Sequence, residues 1–313
     1  MSSSNDIKKV LSDEEISMRT SDARAALHHY RARIENLWHR SPQLRALYEN
    51  TSCSDFLEYI DTEAILYYRE LQECGVKLPA WKDMITVGGE TDLRIFLEIG
   101  RGCFRDMFKY LESKGQKLRM LDFGVGCGRT ARHFFQHLEQ YEMHGCDVDQ
   151  APIEYLYKQV PSIQPLCSPN SPPLPYEANY FDAIYSVSVF SHLNEKAFLE
   201  WTKELSRIIR PGGLLVISIH GEHALNVTKG KDNIGDMGID ESQFYLAKSE
   251  FETEGFMWLP QKTSSSDIDV GQYGISFVNR KFIDRVICPT LRLVHYGSGE
   301  VGGWQDLVVL SKS

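Results

Sequence analysis

The sequence predicts an α/β protein, a mainly parallel sheet covered by helices and preceded by a helical attachment. Three observations predict it. From Leu118 onward, short apolar runs alternate with helix-length periodic segments, the pattern of buried parallel strands and their crossovers. Leu118 to Phe135, LRMLDFGVGCGRTARHFF, reads as strand, glycine-rich turn and helix. Ahead of it, residues 1–115 show helical periodicity without a repeat or a sustained heptad.

Taken in order, Met1 to Asn5 is expected to be disordered. Asp22 to Leu47, Ser54 to Leu71 and Asp92 to Leu111 read as helices whose apolar faces need a partner, most simply the sheet. They form an N-terminal helical cap over residues 1–115, and the sheet domain takes residues 116–313. Tyr141 to Cys146 is a short strand ending at Asp147, and Pro152 to Gln159 is the following helix. Ile163 to Leu166 is a strand, and the prolines from Pro165 to Pro175 require loop. Phe181 to Val187 is an apolar strand, Glu195 to Ile209 a helix, and Pro211-Gly212-Gly213 a turn into the strand Leu214 to Ile219. Gly221 to Gly238 reads as an excursion over the site, within a substrate-loop insertion spanning about 221–270. Ser249 to Gly255 reads as helix or turn, Phe256 to Leu259 and Tyr273 to Phe277 as strands, and Asn279 to Val286 as a helix. Leu291 to Tyr296 and Trp304 to Leu310 read as a closing antiparallel hairpin.

Composition narrows the function classes. The formal charge of −9 over 313 residues argues against a nucleic-acid partner, because phosphate contacts need a basic surface. No apolar run approaches membrane length, and Met1 to Ile7 is polar, so neither membrane association nor secretion is expected. The seven cysteines are scattered without a C-x-x-C pair, which fits free thiols and a cytoplasmic location. No metal-binding pattern is present, and a monomer or homodimer is expected.

The glycine turn carries the chemistry. Gly124, Gly126 and Gly128 alternate, so the third comes too early for a dinucleotide fingerprint, and Gly128-Arg129-Thr130 lacks the lysine of a P-loop. Asp122 at the strand end would repel a pyrophosphate and suit a ligand with a cationic amine. This stretch resembles motif I of the class I S-adenosylmethionine-dependent methyltransferases. The resemblance implies a Rossmann-like, seven-stranded, mainly parallel sheet with an antiparallel C-terminal strand, and S-adenosyl-L-methionine as cofactor. It implies that Asp122 faces the methionyl amine and that Gly124, Gly126 and Gly128 cradle the amino-acid part.

Further motifs extend the resemblance over about residues 115–220. Asp147, with Val148 beside it, occupies the second strand end, where an acid accepts from ribose hydroxyls. Asp149 competes for that role, with helix capping as its plain alternative. Asn170, four before Leu174-Pro175, takes a position where relatives often have Asp and would accept from the adenine amine, with Cys167 and Ser168 as alternatives. Leu166 and Ile153 are apolar neighbours for adenine or simply core. Ser188, Val189 and Phe190, after the central strand, are expected at the cofactor–substrate boundary.

Methyl transfer needs an aligned nucleophile, and a base where the nucleophile keeps its proton. His220 is the first candidate base, because free histidine titrates near 6.5. His192 and His223 are the others, and capping or packing is the plain alternative for His192. VISIHG and Gly303-Trp304-Gln305-Asp306-Leu307 resemble the small-molecule and glycan-associated methyltransferases with an N-terminal helical cap. Gln305 and Tyr273 are expected to face the substrate, with buried loop support and plain core as their alternatives, and Tyr67, Tyr68, Trp81 or Arg101 to roof it, with a simple packing layer as the alternative. The expected reaction is methylation of an oxygen or nitrogen on a small-molecule acceptor, such as a sugar or specialised metabolite. A nucleotide-dependent oxidoreductase and a catalytically silent cofactor-binding scaffold are the alternatives.

Overall fold

The structure is a computed structural model describing residues 6–40, 93–111, 115–228, 241–261, 273–287 and 289–313, with residues 79, 267 and 271. The expected helix Ser54 to Leu71, and Tyr67 and Trp81 with it, lie outside the described residues.

Nine strands form two sheets among these residues. They are β1 (Leu118–Phe123), β2 (Tyr141–Asp147), β3 (Ile163–Cys167), β4 (Phe181–Ser186), β5 (Ile209–Ile219), β6 (Phe256–Pro260), β7 (Gly274–Val278), β8 (Leu291–Val301) and β9 (Gln305–Lys312). Seven of them make one Rossmann-like sheet in the order β3-β2-β1-β4-β5-β9-β8. β1 to β5 are parallel, and β9 enters antiparallel between β5 and β8. The direction of adjacency reverses between β1 and β4, which opens a crevice at their C-terminal ends.

Strand alternation divides the core. Met120, Tyr185 and Val216 pack on one face with Phe134, Met107 and Leu111. Leu121, Ile184 and Leu215 pack on the other with Phe198, Trp201 and Phe282. Each fully buried aromatic or aliphatic side chain contributes about 1.5–3 kcal/mol, so both faces are strongly specified.

The helices are α1 (Asp13–Arg40), α2 (Leu93–Leu111), α3 (Gln150–Gln159), α4 (Glu195–Ile208), α5 (Glu222–Thr228), α6 (Glu241–Glu254) and α7 (Arg280–Val286). α1 starts earlier than expected because Ser12 and Glu15 form a capping box: the Glu15 N–H donates to Ser12 Oγ and the Ser12 N–H to Glu15 Oε2. Arg19 then ties α1 to the sheet edge, donating to the carbonyls of Tyr157, Val160 and Ile163.

Several expectations are corrected. The helix expected over Thr130 to Leu138 is a 3-10 helix, Ala131–His137. Thr130 supplies no side-chain cap there, and aromatic and histidine side chains such as Phe134 and His137 favour packing over α-helical continuation. Pro211-Gly212-Gly213 is a bulge inside β5, where pairing passes from Phe181–Ile209 to Ala183–Leu214. The stretch after Gly221 opens with α5 instead of loop, and Ser249 to Gly255 is the end of the longer α6.

Candidate functional site

A cavity of about 260 Å³ lies at the C-terminal ends of β1, β2 and β4. One end is built by β1, the glycine loop and β2. Gly124 and Gly126 both have positive φ, +83° and +51°, which glycine adopts without the cost other residues meet. A Cβ at Gly124 would overlap Val189, so the loop sits directly against the segment that follows β4. Gly145 in β2 is needed for the same kind of reason, since a Cβ there would lie 2.8 Å from Val125.

Asp147 holds the loop in place. Its Oδ2 accepts from the Gly126 N–H at 2.8 Å and its Oδ1 from the Asp149 N–H at 3.0 Å. Burial raises its pKa against these hydrogen bonds. Asp149 caps α3, accepting from the Ala151 N–H, and also lines the cavity. Asp122 is buried, and desolvation lifts its pKa to about 7. The Tyr185 hydroxyl and Arg129 pull it down, while the Asp147 charge pushes it up. A buried carboxylate held this high is poised to ionise when a cation arrives. Asn170 reaches the same end and donates from Nδ2 to the Asp267 carbonyl at 2.8 Å.

The other end is built from parts distant in the chain. Ser188 adopts a left-handed φ of +59°, unusual for a non-glycine residue. The Ser188 N–H donates to the buried Ser218 Oγ at 2.8 Å, and Gln305 Nε2 donates to its Oγ at 3.0 Å. This pinned turn leads into Val189 and His192, with the His192 N–H bonded to the Val189 carbonyl. The small sheet joins here: the Gly274 N–H donates to the His192 carbonyl, and Tyr273 bridges Leu193.

His192 Nδ1 lies 2.7 Å from the Gly274 carbonyl, so this nitrogen carries the proton and Nε2 keeps its lone pair. Burial lowers the His192 pKa. Nε2 has no hydrogen-bond partner among the described residues, and the ring lines the cavity. Tyr273 stacks on it within 6° of parallel at 5.0 Å.

The cavity thus brings together Asp122, Gly124, Gly126, Asp147, Val148, Asn170, Ser188, His192 and Tyr273. Other expected site residues sit elsewhere. Gly128 turns away, its φ of +79° placing it against Leu156. Leu166 and Phe190 are fully packed in the core. His220 is buried behind His192, 3.3 Å from Gln305 Nε2, and burial drives its pKa to about 3. Burial therefore disfavours the protonated form of His220. His223 Nε2 donates to the Gly303 carbonyl, and Gln305 holds Ser188 from beneath without lining the cavity. Arg101, half-buried on α2, does not line it either.

Sequence reasoning missed Arg129, Thr130, Leu193 and Trp201 among the lining residues. Arg129 had a signal, as the one cation inside the glycine turn. A Cβ at Gly100 of α2 would overlap the Arg129 carbonyl, so the cap helix touches the loop directly.

Residues 120–213 match the family model described as a methyltransferase domain. The match supports S-adenosylmethionine-dependent methyl transfer as the general activity, and the donor set fits that cofactor: a buried acid for an amine, a second acid for hydroxyls, and glycines where side chains would intrude. No curated protein matches the chain. Solved structures similar to it include the PH0226 protein of Pyrococcus horikoshii OT3, with 13% identity, 79% of this chain and 99% of that chain covered, and a TM-score of 0.48. Another is the 1,6-didemethyltoxoflavin-N1-methyltransferase of Burkholderia thailandensis, at 14% identity, 76% and 92% coverage, and a TM-score of 0.46. The CcbJ methyltransferase of Streptomyces caelestis gives 12%, 68% and 96%, and 0.46. Among the described residues no cluster of side chains is suited to a metal ion, and no helix is long and apolar enough to cross a membrane.

Proposed function

We propose that this protein transfers a methyl group from S-adenosylmethionine to an oxygen or nitrogen of a small molecule. One observation carries the reading: a single crevice holds Asp122, Gly124, Gly126 and Asp147 at one end and His192 with an open Nε2 at the other. When bound, the cofactor supplies an electrophilic methyl on a sulfonium. Asp122 is the partner for its amine, Asp147 for its ribose hydroxyls, and Asn170 with Ser168 for its adenine edge. Ser188 and Val189 hold the boundary to the acceptor. His192 replaces His220 as the general base, taking the acceptor's proton at Nε2.

The test is incubation of the full chain with methyl-labelled S-adenosylmethionine and a panel of hydroxyl and amine acceptors. Label is expected on an acceptor. Binding of NAD in place of S-adenosylhomocysteine would overturn the reading in favour of an oxidoreductase.

A further inference from the structure

The reaction end of the cavity constrains what enters it. Its walls are Val187, Val189, Leu193 and the parallel rings of His192 and Tyr273. The charged residues lining the cavity, Asp122, Arg129, Asp147 and Asp149, all belong to β1, the glycine loop and the β2 end. Among the described residues, no charged side chain lines the half that follows β4.

The polar groups there are few. Ser188 Oγ is engaged by Gln305, and His192 Nδ1 by the Gly274 carbonyl. His192 Nε2 and the Tyr273 hydroxyl are what remain for a substrate. A sugar would bring several hydroxyls to this wall, and each one left unpaired away from water costs about 1–3 kcal/mol. A charged acceptor would be desolvated beside apolar walls with no oppositely charged side chain next to it among the described residues, and a cation would also face the donor sulfonium. A flat apolar ring meets neither penalty and gains contact with the paired rings.

We infer that the acceptor is an uncharged planar aromatic or heteroaromatic ring bearing one hydroxyl or ring N–H, which lies along the Tyr273–His192 wall and presents that group to His192 Nε2. This rests on the methyl-transfer reading and narrows its substrate class, favouring a specialised metabolite over a sugar, the two examples expected from sequence. In the step, the acceptor's lone pair forms the bond to the methyl carbon, and the donor sulfur keeps the electron pair of the broken bond. The acceptor's proton passes to His192 Nε2 and from there to water. His192 is the catalytic residue, and Tyr273 sets specificity.

The test is calorimetry on the full chain saturated with S-adenosylhomocysteine. Four probes separate the classes: naphthol as neutral ring, methyl glucoside as polyol, tyramine as cation and hydroxybenzoate as anion. Naphthol is expected to bind at least about tenfold more tightly than the other three. Tyr273→Leu is expected to weaken naphthol about tenfold, with S-adenosylhomocysteine affinity unchanged, and Tyr273→Phe to keep most of it. Equal or tighter binding of any other probe, or naphthol affinity unmoved by Tyr273→Leu, would overturn the inference while leaving methyl transfer intact. Failure of S-adenosylhomocysteine itself to bind would instead overturn the reading beneath it.

Discussion

The two ends of the cavity are built in opposite ways. The β1–β2 end is compact in sequence, from Asp122 to Asp149, and its acids bond backbone amides of the same stretch. The β4 end draws Ser188 and His192 from one segment, Tyr273 from another, and Gln305 from the last strand. The first end is charged and recognises a ligand by its own polar groups. The second is apolar, with His192 Nε2 and the Tyr273 hydroxyl as its open polar groups among the described residues. A charged element thus sits beside an apolar one, and Val189 pressing on Gly124 is the contact that joins them.

Variants should therefore separate binding from turnover. The largest effect is expected at the apolar end. His192→Ala should cut turnover by about 10²–10⁴-fold on a proton-bearing acceptor, with S-adenosylhomocysteine affinity unchanged by calorimetry. Full turnover would remove His192 as the base. At the recognition end, Asp147→Ala should weaken S-adenosylhomocysteine by about a hundredfold, because a charged acceptor and the anchor of the Gly126 amide are lost together.

The joint itself comes next. Gly124→Ala combines overlap with Val189 and a positive φ, and should cost about 1–3 kcal/mol in denaturant unfolding. Val189→Ala in the same chain should restore the overlap share only, so the two changes should prove non-additive. Additive costs would mean that the two ends do not touch.

A smaller effect concerns pH. Asp122 is raised from 3.8 to about 7, so the unliganded protein's stability from this group is present below pH 3.8 and lost as pH rises through about 7. A ligand amine favours the ionised form, so S-adenosylhomocysteine affinity should rise between about pH 6 and 8, with proton release at the acidic end. Asp122→Asn should flatten that profile; a slope that persists would assign it to another group. The smallest effect is expected at Gln305→Leu, which frees Ser188 Oγ and should lower turnover more than cofactor affinity. An affinity loss exceeding the turnover loss would place Gln305 at the recognition end.

The difference between the ends also explains what the sequence disclosed. Asp122, the glycines and Asp147 are legible because strand, turn and acid follow one another within a short stretch, with spacing imposed by backbone geometry. The individual strands and the terminal hairpin are legible from apolar periodicity for the same local reason, whereas the order of the strands in the sheet is not. The settings of His192 and His220 are not legible in the sequence, because a histidine's protonation depends on neighbours that the chain supplies from far away. His220 has Gln305 and a buried setting, whereas His192 has the Gly274 carbonyl and an open face. The short 3-10 helix after the glycine turn escaped notice because Thr130 to Leu138 carries helical spacing without an N-cap bond.

The most direct test of the account is a calorimetric titration of S-adenosylhomocysteine into the full chain, run beside the Asp147→Ala variant. One-site binding that falls about a hundredfold in the variant is the predicted result. An absence of binding to the folded wild-type chain, or equal affinity in both proteins, would contradict it.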